Sequence, residues 1–103
     1  MTSKIIGVGN YIPSETITNL FFENHHFLDE KGITLKQDNA TIAGKLKEIT
    51  GIEERRYANK DQVTSDLGFI AAQEAIENSG IDPETLDYII FAHNFGDVRS
   101  GTI

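Results

Sequence analysis

The chain has 103 residues, 39% of them hydrophobic and 24% charged, with a net charge of −7 and no cysteine. That length allows one small domain burying roughly 60–70% of its unfolded surface, and its composition is that of a soluble globular protein rather than a disordered one. The acidic balance argues against nucleic acid, whose binding needs clustered Lys and Arg. Lack of cysteine excludes disulfides, thiolate metal sites and a cysteine nucleophile within these residues.

No apolar run approaches the roughly 20 residues that span a bilayer. Nor does a secretory leader follow Met1, so the reading is of a cytoplasmic protein with no membrane partner. The Asn39-Ala-Thr41 sequon would matter only in a secreted protein.

Residues 4–11 are rich in β-branched side chains, and Ile5, Ile6 and Val8 suit a strand buried on both faces. It meets a turn at Asn10, Pro13 and Ser14. Thr18 or Asn19 can cap a helix carrying Leu20, Phe21 and Phe22, then Phe27 and Leu28. Asp29-Glu-Lys-Gly32 reads as a turn and 33–38 as loop.

Asn39 can cap a second helix with Ile42, Ala43, Leu46 and Ile49 at helical spacing, closed by Gly51. Residues 53–58 alternate as a strand, Arg55 and Tyr57 on one face and Glu54, Arg56 and Ala58 on the other. A long helix starts at Thr64, whose hydroxyl can cap it. Leu67, Ile70, Ala71, Ala75 and Ile76 form its buried stripe, and Gly80 followed by Ile81 ends it in Schellman fashion.

Asp82-Pro83 opens a short helical turn. Residues 87–93 then read as a central strand, and 94–103 as loop. This order predicts an α/β fold with at least one parallel pairing, which needs a crossover helix.

Several constellations invite chemistry. Gly7-x-Gly9 lacks a third glycine, since position 12 is Ile12, and Pro13 follows; a tight turn explains it better than a dinucleotide site. His25 and His26 would point about 100° apart on a helix. Without His or Cys at i+3 or i+4 they read as a surface pair, and no metal site is expected. His93 falls at the end of a strand where ligand sites of α/β sheets gather, yet no triad spacing accompanies it.

Lys45, Lys47, Arg55, Arg56 and Lys60 stand against Glu48, Glu53 and Glu54, a basic island in an acidic chain. A solvated face is the ordinary meaning of such charges. Two arginines on a strand beside two lysines on a helix could also bind phosphate.

Taken in order, three segments resemble the N-terminal part of the 3-oxoacyl-[acyl-carrier-protein] synthase III family, condensing enzymes of the thiolase superfamily. Lys4-Ile-Ile-Gly-x-Gly-x-Tyr-Ile-Pro13 with Thr18-Asn19 is similar to its first strand and turn. Thr50-Gly-Ile52 with Arg55 is similar to its Thr-Gly-Ile-x-x-Arg signature. Leu67-Gly-Phe69, Ala71-Ala72 and Ala75-Ile76, then Ser79-Gly-Ile81, are similar to its long first-half helix.

The resemblance implies a partial thiolase-like α/β fold over 1–103, a mixed sheet with packed helices. It implies an acyltransferase, acting in fatty-acid or lipid metabolism, that condenses an acyl group with malonyl-acyl carrier protein. Coenzyme A or a phosphopantetheine thioester would carry the substrate, no cofactor would be bound covalently, and a homodimer is expected.

In that family a cysteine, a histidine and an asparagine do the chemistry, and the resemblance puts all three beyond Ile103. This stretch alone is then expected to be an inactive fragment. Lys45, Lys47, Arg55 and Arg56 are the candidate phosphate contacts, and no residue here is assigned a catalytic role.

Departures from the family pattern lie between Asn19 and Thr50, where Asn24-His-His-Phe-Leu-Asp-Glu-Lys-Gly32 looks inserted. Lys45 and Ile49 also replace the usual Trp and Arg before Thr-Gly-Ile. A primer other than acetyl-coenzyme A, such as a longer acyl group, fits those changes. The competing expectation is a non-catalytic α/β interaction module with an acidic surface.

Overall fold

A computed structural model describes residues 2–98. The chain divides into two units: Ser14–Tyr57, and a second that joins the stretch ending at Pro13 to the one beginning at Ala58.

Within Ser14–Tyr57, strand β1 (Glu15–Thr18) pairs antiparallel with β2 (Glu54–Tyr57), Thr16 opposite Arg56 and Ile17 opposite Arg55. β2 falls where alternation places it, whereas β1 was not expected: it follows the turn at Ser14 and takes in Thr18, a candidate helix cap. Its short run of Thr16, Ile17 and Thr18 favours extended backbone once a partner edge is present. Thr18 is extended and makes no capping bond.

The expected helix after Asn19 is only a 3-10 turn, Asn19–Asn24. It stops where the aromatic rings gather, Phe21 edge-on to Phe22 at 5.3 Å and Phe22 6.5 Å from Phe27. Edge-on and tilted aromatic pairs of this kind each contribute about 0.5–1.5 kcal/mol beyond the area they bury. A tight loop follows, in which the Asp29 carboxylate accepts from the Lys31 and Ile33 amides while Gly32 takes φ 78°.

Helix α1 (Asn39–Thr50) starts one residue away from its expected cap. Asp38, not Asn39, accepts the Thr41 amide at 2.7 Å. Freed from capping, Asn39 donates to the carbonyls of Glu23 and His25, both at 2.6 Å, and ties α1 to the 3-10 turn. At the far end Gly51, φ 70°, donates to Lys47 at 2.7 Å, the left-handed cap the sequence predicts.

Ile42 and Ala43 are the buried apolar residues among those described. Ile49 shares their helical face yet is 81% exposed.

The second unit is organised by α2 (Thr64–Ser79). Leu67, Ile70, Ala71, Ala75 and Ile76 are half-buried, as the spacing predicts. Residues 4–11 run along this helix. A β-carbon on Gly7 would stand 2.5 Å from the Ala75 carbonyl oxygen, and one on Gly9 would collide with that of Ala71. Close packing on a helix, rather than a tight turn, is therefore what these glycines permit. Asn78 reinforces it with a 2.8 Å bond to the Val8 carbonyl.

Thr64 does not cap α2. Val63 precedes the helix, and its amide is held by the Asp66 carboxylate at 2.8 Å. The Thr64 hydroxyl instead donates to the Phe95 carbonyl at 2.7 Å, and Asp97 accepts the Ser65 amide at 2.9 Å. Gly80, φ 70°, closes the helix, and Asp82 caps the turn Pro83–Thr85 as expected.

The sheet found among the described residues is two-stranded and antiparallel, so the expected parallel pairing is not there. Neither 4–11 nor 87–93 joins a ladder. An extended segment counts as a strand only when a neighbour takes its amides and carbonyls, and these two have helix contacts instead. Ile89 and Ile90 are left 86% and 93% exposed. The loop expected over 94–103 is seen as far as Val98, the rest lying outside the described residues. Helices with a small sheet give a partial α/β architecture.

Candidate functional site

The basic island is sorted by the periods of its two elements. On β2, Arg55 opposes Ile17 and is half-buried, whereas Arg56 opposes Thr16 on the other face and is exposed. On α1, Lys47 lies four residues after buried Ala43 and shares its side. Lys45, two residues after Ala43, is turned about 200° away and is exposed.

Lys47 and Arg55 therefore meet at one concavity of ≈ 220 Å³, walled by Phe22, Phe27, Leu46 and Ile52, while Lys45 and Arg56 lie outside its lining. Asn19 closes one side, its side chain donating to the Ile52 carbonyl at 3.3 Å. The Arg55 guanidinium sits 5.9 Å from the centre of the Phe22 ring. Such a cation–π contact is worth about 0.5–1 kcal/mol at a partly exposed site and orients the planar cation.

Lys47 is differently placed. Its Nζ is 3.4 Å from the Glu53 carboxylate, with side chains 51% and 76% exposed. At that exposure an ion pair contributes only about 0–1 kcal/mol. From the sequence Phe22 and Phe27 were read as apolar helix positions and not as walls of a site; their closeness in the chain is the signal that could have found them.

Other candidates gain less. His25 packs against Phe21, Phe22 and Phe27 at ring distances of 5.5, 5.1 and 5.9 Å, and His26 pairs with the Thr34 hydroxyl at 2.7 Å. Among the described residues no cluster of three His, Cys, Asp or Glu side chains could hold a metal. His93 lies against Phe91, the rings 5.4 Å apart and tilted by 40°.

A larger groove of ≈ 500 Å³ runs between α2 and residues 83–89, lined by Phe69, Ala72, Ile76, Leu86 and Ile89, and it presents no cation. Two carboxyls are held below their ordinary range, Asp38 by the Thr41 amide and hydroxyl and Asp97 by Ser65. Both are helix-start acceptors rather than site groups. No helix among the described residues is long and apolar enough to cross a membrane.

No protein-family model matches the chain. Among curated proteins, all 103 residues align at 39% identity with beta-ketoacyl-[acyl-carrier-protein] synthase III from Staphylococcus aureus strains Newman, JH1 and Mu3. The chain spans 29% of the length of each of those relatives.

Proposed function

This chain is a relative of beta-ketoacyl-[acyl-carrier-protein] synthase III along its whole length, and from that premise we propose that it builds the opening scaffold of a condensing enzyme. The 39% identity over all 103 residues is the observation that carries the reading. The complete protein would be a cytoplasmic, homodimeric acyltransferase of thiolase-like fold. It would take an acyl group from acyl-coenzyme A and join it to malonyl-acyl carrier protein with loss of carbon dioxide.

The residues of this chain supply no thiolate, since it contains no cysteine. Their part is structural and receptive. Gly7 and Gly9 let an extended segment lie flat on α2, and Lys45, Lys47, Arg55 and Arg56 offer positive charge to the phosphates of coenzyme A or phosphopantetheine. Lys47 and Arg55 are favoured within that set by their shared concavity. A non-catalytic interaction module is not favoured, because all 103 residues of this chain align with part of an enzyme's sequence.

The test is an assay of the full-length gene product with acyl-coenzyme A and malonyl-acyl carrier protein. Equal release of free coenzyme A and carbon dioxide is expected, and release of neither sinks the reading. The same assay on residues 1–103 alone should give no turnover.

A further inference from the structure

The four candidate cations are not equally available, and the difference assigns them separate roles. This inference rests on the phosphate-binding reading above. Arg55 is half-buried, oriented by the Phe22 ring, and its guanidinium has no ion pair or hydrogen bond among the described residues. A planar guanidinium held by an aromatic face keeps its N–H edge free for a phosphate, which it can grip with two bonds at once. Lys47 shares the concavity, but its ammonium is already committed to Glu53.

We infer that Arg55 is the primary anion seat of this concavity and that Glu53 is an internal competitor that withholds Lys47 until a phosphate displaces it. A phosphate arriving on Arg55 brings negative charge next to Lys47. The exposed Lys47–Glu53 pair at 3.4 Å is weak enough for that exchange. Glu53 thereby lowers affinity for every anion and penalises weakly charged ones most, since only a phosphate carries enough charge to draw Lys47 across. Lys45 and Arg56, outside the lining, act as background field only.

The test is calorimetric titration of the full-length protein with coenzyme A at low salt. Arg55→Ala is expected to weaken binding about 10- to 100-fold, the loss of a charged hydrogen-bonded contact. Arg55→Lys, which preserves the charge and the strand, should recover only part of it. Glu53→Gln is expected to tighten binding about two- to fivefold, as release of an exposed ion pair allows.

That gain should vanish in a Lys47→Ala background and shrink at 0.5 M salt, where charges are screened within about 4–5 Å. If Arg55→Ala weakens binding while Glu53→Gln changes nothing, or tightens it equally without Lys47, the competitor role is overturned and the phosphate seat stands. If neither Arg55 variant alters affinity, the phosphate-binding reading falls and this inference falls with it.

Discussion

Gly7 lies so close to Ala75 that a β-carbon on the glycine would stand 2.5 Å from the alanine carbonyl oxygen. Backbone, not a flexible side chain, is the obstacle, so the segment cannot yield locally.

Gly7→Ala is accordingly expected to destabilise the full-length protein by about 1–3 kcal/mol through overpacking. Gly44→Ala is the control. Gly44 sits inside α1 with nothing within 4 Å of its would-be β-carbon, and the substitution should stabilise by roughly 0.5–1 kcal/mol. Urea midpoints moving the same way for both would contradict the packing account.

Asn39 gives a second contrast. Asn39→Ala loses bonds to the Glu23 and His25 carbonyls, each worth about 0.5–1.5 kcal/mol net. Alanine returns roughly 0.5 kcal/mol of helix propensity, so a net loss of about 1–2 kcal/mol is expected. Asn39→Asp should fare worse despite its favourable charge at a helix start, because a carboxylate would then face those two carbonyl oxygens. Thermal denaturation of the pair in that order checks it.

Acid should loosen the starts of both helices. Asp38 and Asp97 have folded-state values below the ordinary 3.8. A carboxyl whose pKa is depressed on folding contributes stability above its unfolded value, and the contribution is lost as pH falls through the lower, folded value. Amide exchange at Thr41 and Ser65 should therefore quicken below about pH 4 relative to the helix interiors. Asp97→Asn keeps an acceptor for Ser65 without titrating, so protection there should become independent of pH; a retained acid step in that variant would refute the assignment.

Residues 1–103 expressed alone should self-associate. Ile5, Ile89 and Ile90 are each more than four-fifths exposed, and exposed apolar surface favours association once it forms a large patch. Light scattering should show association that rises with concentration and falls in an Ile89→Glu, Ile90→Glu double variant. A monomer at high concentration in the unsubstituted chain would be the contrary result.

Local signals were legible where one element contains both cause and effect. Gly51 and Gly80 stop their helices in the left-handed conformation, and Asp82-Pro83 starts a turn, because each depends on residues within a turn of itself. The stripe from Leu67 to Ile76 followed from helical period alone. The expected caps were each off by one residue: Asp38 takes the place of Asn39, and Val63 with Asp66 that of Thr64.

The site was half legible. Alternation separated Arg55 from Arg56 before any coordinates, since side chains on a strand point to opposite faces every second residue. It could not show that Lys47 meets Arg55, that Phe22 lies under the guanidinium, or that Glu53 reaches the lysine.

By itself the sequence determined the two α-helices, their stops and the kinship of the chain, because these rest on short-range spacing and ordered motifs. Only the tertiary structure decided that 15–18 is a strand, that Gly7 and Gly9 serve contact with α2, and that Asp97 holds the start of a helix 32 residues away. Each of those depends on a partner distant in the chain, and a partner's position is set by packing rather than by local propensity.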